Sequence, residues 1–126
     1  MQLLRLDHLV LTVSDLAATV DFYTRVLGMK HEIFGAGRHA LKFGDQKLNL
    51  HPAAQPLLPH ARLPQPGSAD LCFLTAMPIA EVVADLRRAG VTIEVGPVPR
   101  TGATGGLLSV YVRDPDGNLI EIANAI

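Results

Sequence analysis

At 126 residues the chain is long enough for one domain with a buried core. Eleven Lys and Arg against 12 Asp and Glu give a net charge of -1, which removes the electrostatic case for nucleic acid or an anionic membrane as partner. The single cysteine, Cys72, excludes an intrachain disulfide framework, no signal-peptide pattern opens the chain, and no apolar run reaches the roughly 18 residues of a membrane span, so a cytoplasmic protein is the expectation.

In chain order, "LDHLVLTV" (6–13) is rich in leucine and β-branched residues and predicts a strand ending at Ser14, a suitable N-cap. The following "DLAATVDFYTRVLG" places Leu16, Val20, Tyr23 and Leu27 on one helical face, with Gly28 as its stop. Strands are expected at about 30–35, 38–44 and 46–51, the last two joined by a turn at Gly44 and Asp45. Residues 52–68, "PAAQPLLPHARLPQPGS", hold five of the nine prolines and read as an extended connector.

A second unit repeats the first. "ADLCFLT" (69–75) predicts a strand, Pro78 suits the first turn of a helix, and Ile79, Val82, Val83 and Leu86 form its apolar stripe up to Gly90. His8 to Gly28 and Asp70 to Gly90 are both 20 residues apart, so a duplicated βα start is visible within the chain itself. Strands follow at about 91–95, 107–113 and 118–124, the last two joined by the turn formers of "RDPDGN". The organisation is one domain of two βαβββ modules, about 4–51 and 69–126.

Strand alternation puts Glu121 on a face with Leu119 and Ala123, opposite Ile120 and Ile122, and puts His8 with Val10 and Thr12. Matching "KLNLH" (47–51) to "LIEIA" (119–123) makes Asn49 the counterpart of Glu121, as His8 is of Asp70. His51 shares the Asn49 face, about 6 to 7 Å further along. Two histidines, two carboxylates and an amide make a mixed nitrogen and oxygen donor set, which suits a divalent first-row metal. Cys72 lies on the Asp70 face, as a cavity-lining side chain or as a buried inert thiol. The loop "PRTGATGG" (99–106) reads either as a mobile lid, with Arg100 meeting an anionic substrate group, or as a hairpin connection. His31, His39 and His60 have no partner pattern and are expected at the surface.

"LDHLVLTVSDLAATVDFYTRVLG" and "VRDPDGNLIEIAN" resemble the vicinal oxygen chelate superfamily, which includes glyoxalase I, fosfomycin-modifying transferases, extradiol dioxygenases and bleomycin-resistance proteins. "KLNLH", "PGSADLCFLT" and "GPVPRTGATG" look closer still to a subgroup of glyoxalase-domain-containing proteins, some described as virulence-associated. The resemblance implies an α+β fold in which the two modules form an open, cupped, barrel-like sheet. It further implies one divalent metal per site (zinc, nickel, manganese or iron) on strands one and four of each module. His8 and Glu121 match the family's ligands in type, whereas Asn49 stands where glyoxalase I has a glutamate and Asp70 where most members have a histidine. Those departures count against glyoxalase I activity itself. Asp70 remains a usable ligand, and His51 is the replacement for position 49.

The expected function is therefore that of a metal-dependent, glyoxalase-like enzyme of lyase or isomerase type. Its metal would chelate neighbouring oxygens of a small substrate and stabilise an oxyanion or enediolate. Glu121 or Asp70 would move the proton, and Arg100, Asn49 and Cys72 would line the substrate pocket. A homodimer follows if modules of two chains pair, with His8 and His51 of one chain facing Asp70 and Glu121 of the other. The alternatives are a metal-free small-molecule binder of the bleomycin-resistance kind, against which an aromatic content of 5% without Trp counts, and a scaffold that has lost the chemistry.

Overall fold

A computed structural model describes residues 1–126. The chain divides into two compact units, Met1–Pro66 and Gly67–Ile126. In the first, β1 (His8–Val13) leads into α1 (Leu16–Asp21), then β2 (Lys30–Phe34), β3 (Arg38–Phe43) and β4 (Gln46–Pro52). In the second, β5 (Asp70–Leu74) leads into α2 (Ile79–Arg88), then β6 (Val95–Thr101), β7 (Gly106–Arg113) and β8 (Leu119–Ala125). The spatial orders are β1-β4-β3-β2 and β5-β8-β7-β6, so both units have the same topology and form open four-stranded sheets. In each, the first strand runs parallel to the last and the remaining pairs are antiparallel.

The register bears out the repeat. His8 pairs with Lys47 and Val10 with Asn49, while Asp70 pairs with Leu119 and Cys72 with Glu121, so Asn49 and Glu121 are equivalent positions. Gly28 and Gly90 end the two helical segments at φ +70° and +75°, a region that costs glycine little because it has no Cβ. The apolar residues between the polar positions are buried: Leu11, Val13, Leu41, Leu48 and Leu50 in the first unit, Val110, Val112, Ile120 and Ile122 in the second. Each such side chain stabilises the fold by roughly 1.5–3 kcal/mol on burial.

The helices depart from the expected reading. Asp15, not Ser14, caps α1, its carboxylate accepting from the Ala18 N–H at 3.0 Å. After Asp21 the helix widens into a π-helical turn, Phe22–Val26. The extra residue per turn shifts the apolar stripe, so Phe22 and Tyr23 are buried with Thr19 while Leu16, Val20 and Leu27 are only half-buried. Pro78 stands at the N-cap of α2 rather than in its first turn. A proline has no side-chain acceptor, so the Ile79 N–H is met by Asn124 Oδ1 from β8 at 2.8 Å. Val82 and Leu86 of α2 are buried, and the helix lies against β7.

The strand expected at 91–95 lies later, as β6. Val91 is held instead at the end of α2, its N–H bonded to Leu86 O, and Pro97 and Pro99 are tolerated because β6 is an edge strand paired only with β7. The connector is not a straight extended segment. It follows a series of turns and bends, and its Pro56, Leu57, His60 and Pro64 line a cavity of about 20 Å³ together with Thr12 and His51.

Candidate functional site

On the first sheet, pairing in register places His8 and Thr12 of β1, Lys47, Asn49 and His51 of β4, and Ala40 and Lys42 of β3 on one face. The imidazole of His8 is tied to its chain neighbour, with Nδ1–H donating to Asp7 Oδ1 at 2.8 Å. That bond, with the nearby positive charge, holds the Asp7 carboxyl below its ordinary pKa. It also leaves His8 Nε2 without a protein partner, at a half-exposed side chain.

Asn49 is 4% exposed, and its Oδ1 is buried with no hydrogen-bond partner. An orphaned acceptor of this kind costs about 1–3 kcal/mol unless a ligand meets it. His51 is also buried, and its Nε2 accepts from Arg38 Nη2 at 3.3 Å. Burial, then the Arg38 charge, then His60 push the His51 pKa down, so the ring is neutral with its proton on Nδ1. The guanidinium already occupies the lone pair of Nε2 and repels a second cation, and this weighs against His51 as a metal ligand.

On the second sheet, Asp70 and Cys72 of β5, Glu121 and Ala123 of β8, and Tyr111 and Ser109 of β7 share a face. Glu121 accepts from Ser109 Oγ at 2.6 Å, and its charge acts on the neighbouring Cys72 thiol. The Ser109 bond orients the carboxylate and still leaves part of its acceptor capacity open. Cys72 is exposed rather than buried within the chain. Its thiol pKa is pushed up to about 11, first by desolvation and then by the Glu121 charge, so it stands protonated at neutral pH.

The stretch 99–106 is a hairpin: Gly102 N–H bonds to Gly105 O at 2.7 Å between β6 and β7. Arg100 lies in β6, with Nε donating to Tyr111 Oη at 3.0 Å and Nη1 to Pro99 O. "DPDG" is turn-forming as expected, with Asp114 accepting from the Asp116 and Asn118 backbone N–H groups. His31 and His39 are not isolated surface groups; their rings stack, with Nε2 and Nδ1 2.8 Å apart. His60 reaches the His51 cavity.

The residues therefore divide in their fit to a metal. His8 offers a free Nε2 behind an orienting carboxylate, Glu121 an oriented carboxylate, Asp70 an exposed one, and Asn49 an unpartnered amide oxygen. Neither unit alone gathers three His, Cys, Asp or Glu side chains into one cluster. The sequence reading missed Asp7, Ser109 and Arg38. The position of Asp7 beside His8 was the only available signal, because Ser109 and Arg38 meet their partners through strand register rather than sequence proximity.

The glyoxalase/bleomycin resistance protein/dioxygenase superfamily model matches residues 5–122. The chain is 55% identical over 122 residues to virulence protein STM3117 of Salmonella typhimurium, covering 97% of this chain and 85% of that one. It is 54% identical over 119 residues to glyoxalase domain-containing protein RDO1 of Mycosarcoma maydis, covering 94% and 67%. The crystal structure of STM3117 superposes with a TM-score of 0.99 at 54% identity, covering all of both chains. The fold extends to lactoylglutathione lyase of Agrobacterium tumefaciens (TM-score 0.72, 24% identity, 95% and 92% covered). It extends equally to the antibiotic binding protein TnmS3 of a Streptomyces species (TM-score 0.75, 23% identity, 100% and 99% covered). Duplicated topology, polar strand positions and a match spanning almost the whole sequence place this chain in the glyoxalase/bleomycin resistance protein/dioxygenase superfamily.

Proposed function

We propose that the chain is a divalent-metal-dependent, glyoxalase-like enzyme that acts on a small molecule bearing neighbouring oxygens. The observation that carries this reading is His8, whose Nδ1–H is fixed by Asp7 so that Nε2 is left as a donor of set tautomer. His8, Glu121 and Asp70 would hold the ion, with the Asn49 amide oxygen beside them. When bound, such an ion supplies Lewis-acid stabilisation of an oxyanion or enediolate.

The remaining work belongs to the chain. Glu121, steadied by Ser109, takes up or returns the proton of the substrate. Tyr111, held by Arg100, and the protonated Cys72 offer hydrogen-bond donors to a substrate oxygen. Because neither unit alone gathers three ligands, the site would be completed in a homodimer, with the first module of one chain meeting the second module of its partner.

A second reading, a metal-free small-molecule binder, is favoured by one observation: an amide stands at position 49 where its repeat counterpart is a carboxylate. Thermal unfolding of chelator-treated protein with added zinc, nickel, manganese or iron(II) separates the two. Binding to the folded state at a hundredfold excess over Kd stabilises by about 2.7 kcal/mol. A rise in Tm with one of these ions that disappears in His8→Ala and Glu121→Ala supports the enzyme. Unchanged Tm with all four ions supports the binder.

A further inference from the structure

We propose that the first sheet carries a recognition site for a small-molecule oxyanion, built from Arg38 and Lys47 around the Phe34 ring and set beside His51. The inference rests on the proposed function only in making that oxyanion part of the substrate; the binding site itself needs no metal. The Arg38 guanidinium lies 5.1 Å from the Phe34 centroid and the Lys47 ammonium 3.9 Å from it. Each is attracted to the electron-rich face of the ring, so both cations contact one aromatic side chain.

Neither cation forms an ion pair. The five ion pairs of the chain use His8, Arg25, Lys42, Arg88 and Arg113, and the carboxylate nearest in effect to Lys47, Asp7, is already bonded to His8. Two like charges on one ring, neither within ion-pair distance of a carboxylate, repel each other, and an anionic ligand relieves that cost. Arg38 is also fixed in orientation. One of its N–H donors is spent on His51 Nε2, and the others of its planar fork remain for a carboxylate or phosphonate. Asn49, one strand residue pair away from both His51 and Lys47, lies between the two cationic positions on the same face, so an anion there sits next to the donors proposed for the metal.

Malonate is the probe, with malonamide as its neutral counterpart, titrated into chelator-treated protein while the Arg38 Nε–H and the amides of β3 and β4 are followed by NMR. Saturable shifts with malonate and none with malonamide are expected. Arg38→Ala and Lys47→Ala should each weaken binding at least about tenfold. Arg38→Lys, which keeps the charge and the fold but loses the fork, should also weaken it. Lys42→Ala, which removes a cation paired to Glu32 on the same sheet, should leave it within about twofold. Equal binding of malonamide, or an equal loss in Lys42→Ala and Arg38→Ala, overturns the site. Because no metal is present, failure here leaves the metal reading standing, and failure of metal binding leaves this site standing.

Discussion

Two side chains show how local environment decides chemistry at the scale of single residues. Cys72 has the exposure of a reactive thiol, but its pKa of about 11 means that roughly one molecule in a thousand carries the thiolate at pH 8. Raising the pH lifts that fraction about tenfold per unit until the thiol pKa is reached. Alkylation by iodoacetamide should therefore accelerate steadily from pH 8 to pH 10; a plateau near pH 9 would show an ordinary thiol. Thr19 is the opposite case, a fully buried residue of α1 whose Oγ1 has no hydrogen-bond partner. Thr19→Val keeps the shape and removes the stranded hydroxyl, so it should stabilise by about 1 kcal/mol in urea unfolding. Destabilisation by a similar amount would mean that the hydroxyl is satisfied in solution.

Among elements, Asn124 joins β8 to the start of α2. Its Oδ1 accepts from Ile79 N–H, which the proline N-cap leaves open, while Nδ2 donates to Thr75 O and Met77 O, so one amide ties down three backbone groups at the entry to α2. Asn124→Ala should cost about 1–3 kcal/mol, and hydrogen exchange should speed first at residues 75–82. Uniform acceleration across the second unit would place the loss elsewhere. That link was not legible in the sequence, because it joins residues 45 positions apart. Most elements were legible, because apolar side chains recur at a period of two, as Leu9, Leu11 and Val13 in β1, Leu48 and Leu50 in β4, Val110 and Val112 in β7, and Ile120 and Ile122 in β8. β6 was displaced, because "VGPVPRT" has no such alternation and its prolines are allowed only by its edge position. The π-helical turn was invisible, because its hydrogen bonds and not its composition distinguish it from the helix it interrupts.

At the scale of the whole molecule, duplication makes the polar positions interpretable. The equivalence of Asn49 with Glu121, and of His8 with Asp70, was readable from spacing and holds in the strand register. What spacing did not provide is the set of partners that orient them: Ser109 on Glu121, Arg38 on His51, and the pair of cations around Phe34, all brought together by neighbouring strands. The central claim, that His8 and Glu121 are the main holders of a metal, is tested most directly by elemental analysis of tag-free protein beside His8→Ala and Glu121→Ala. The account predicts a first-row divalent metal in stoichiometric amount in the wild-type protein and its loss in both variants. Wild-type protein that remains metal-free after supplementation with zinc, nickel, manganese and iron, or variants that retain the full complement, would contradict it.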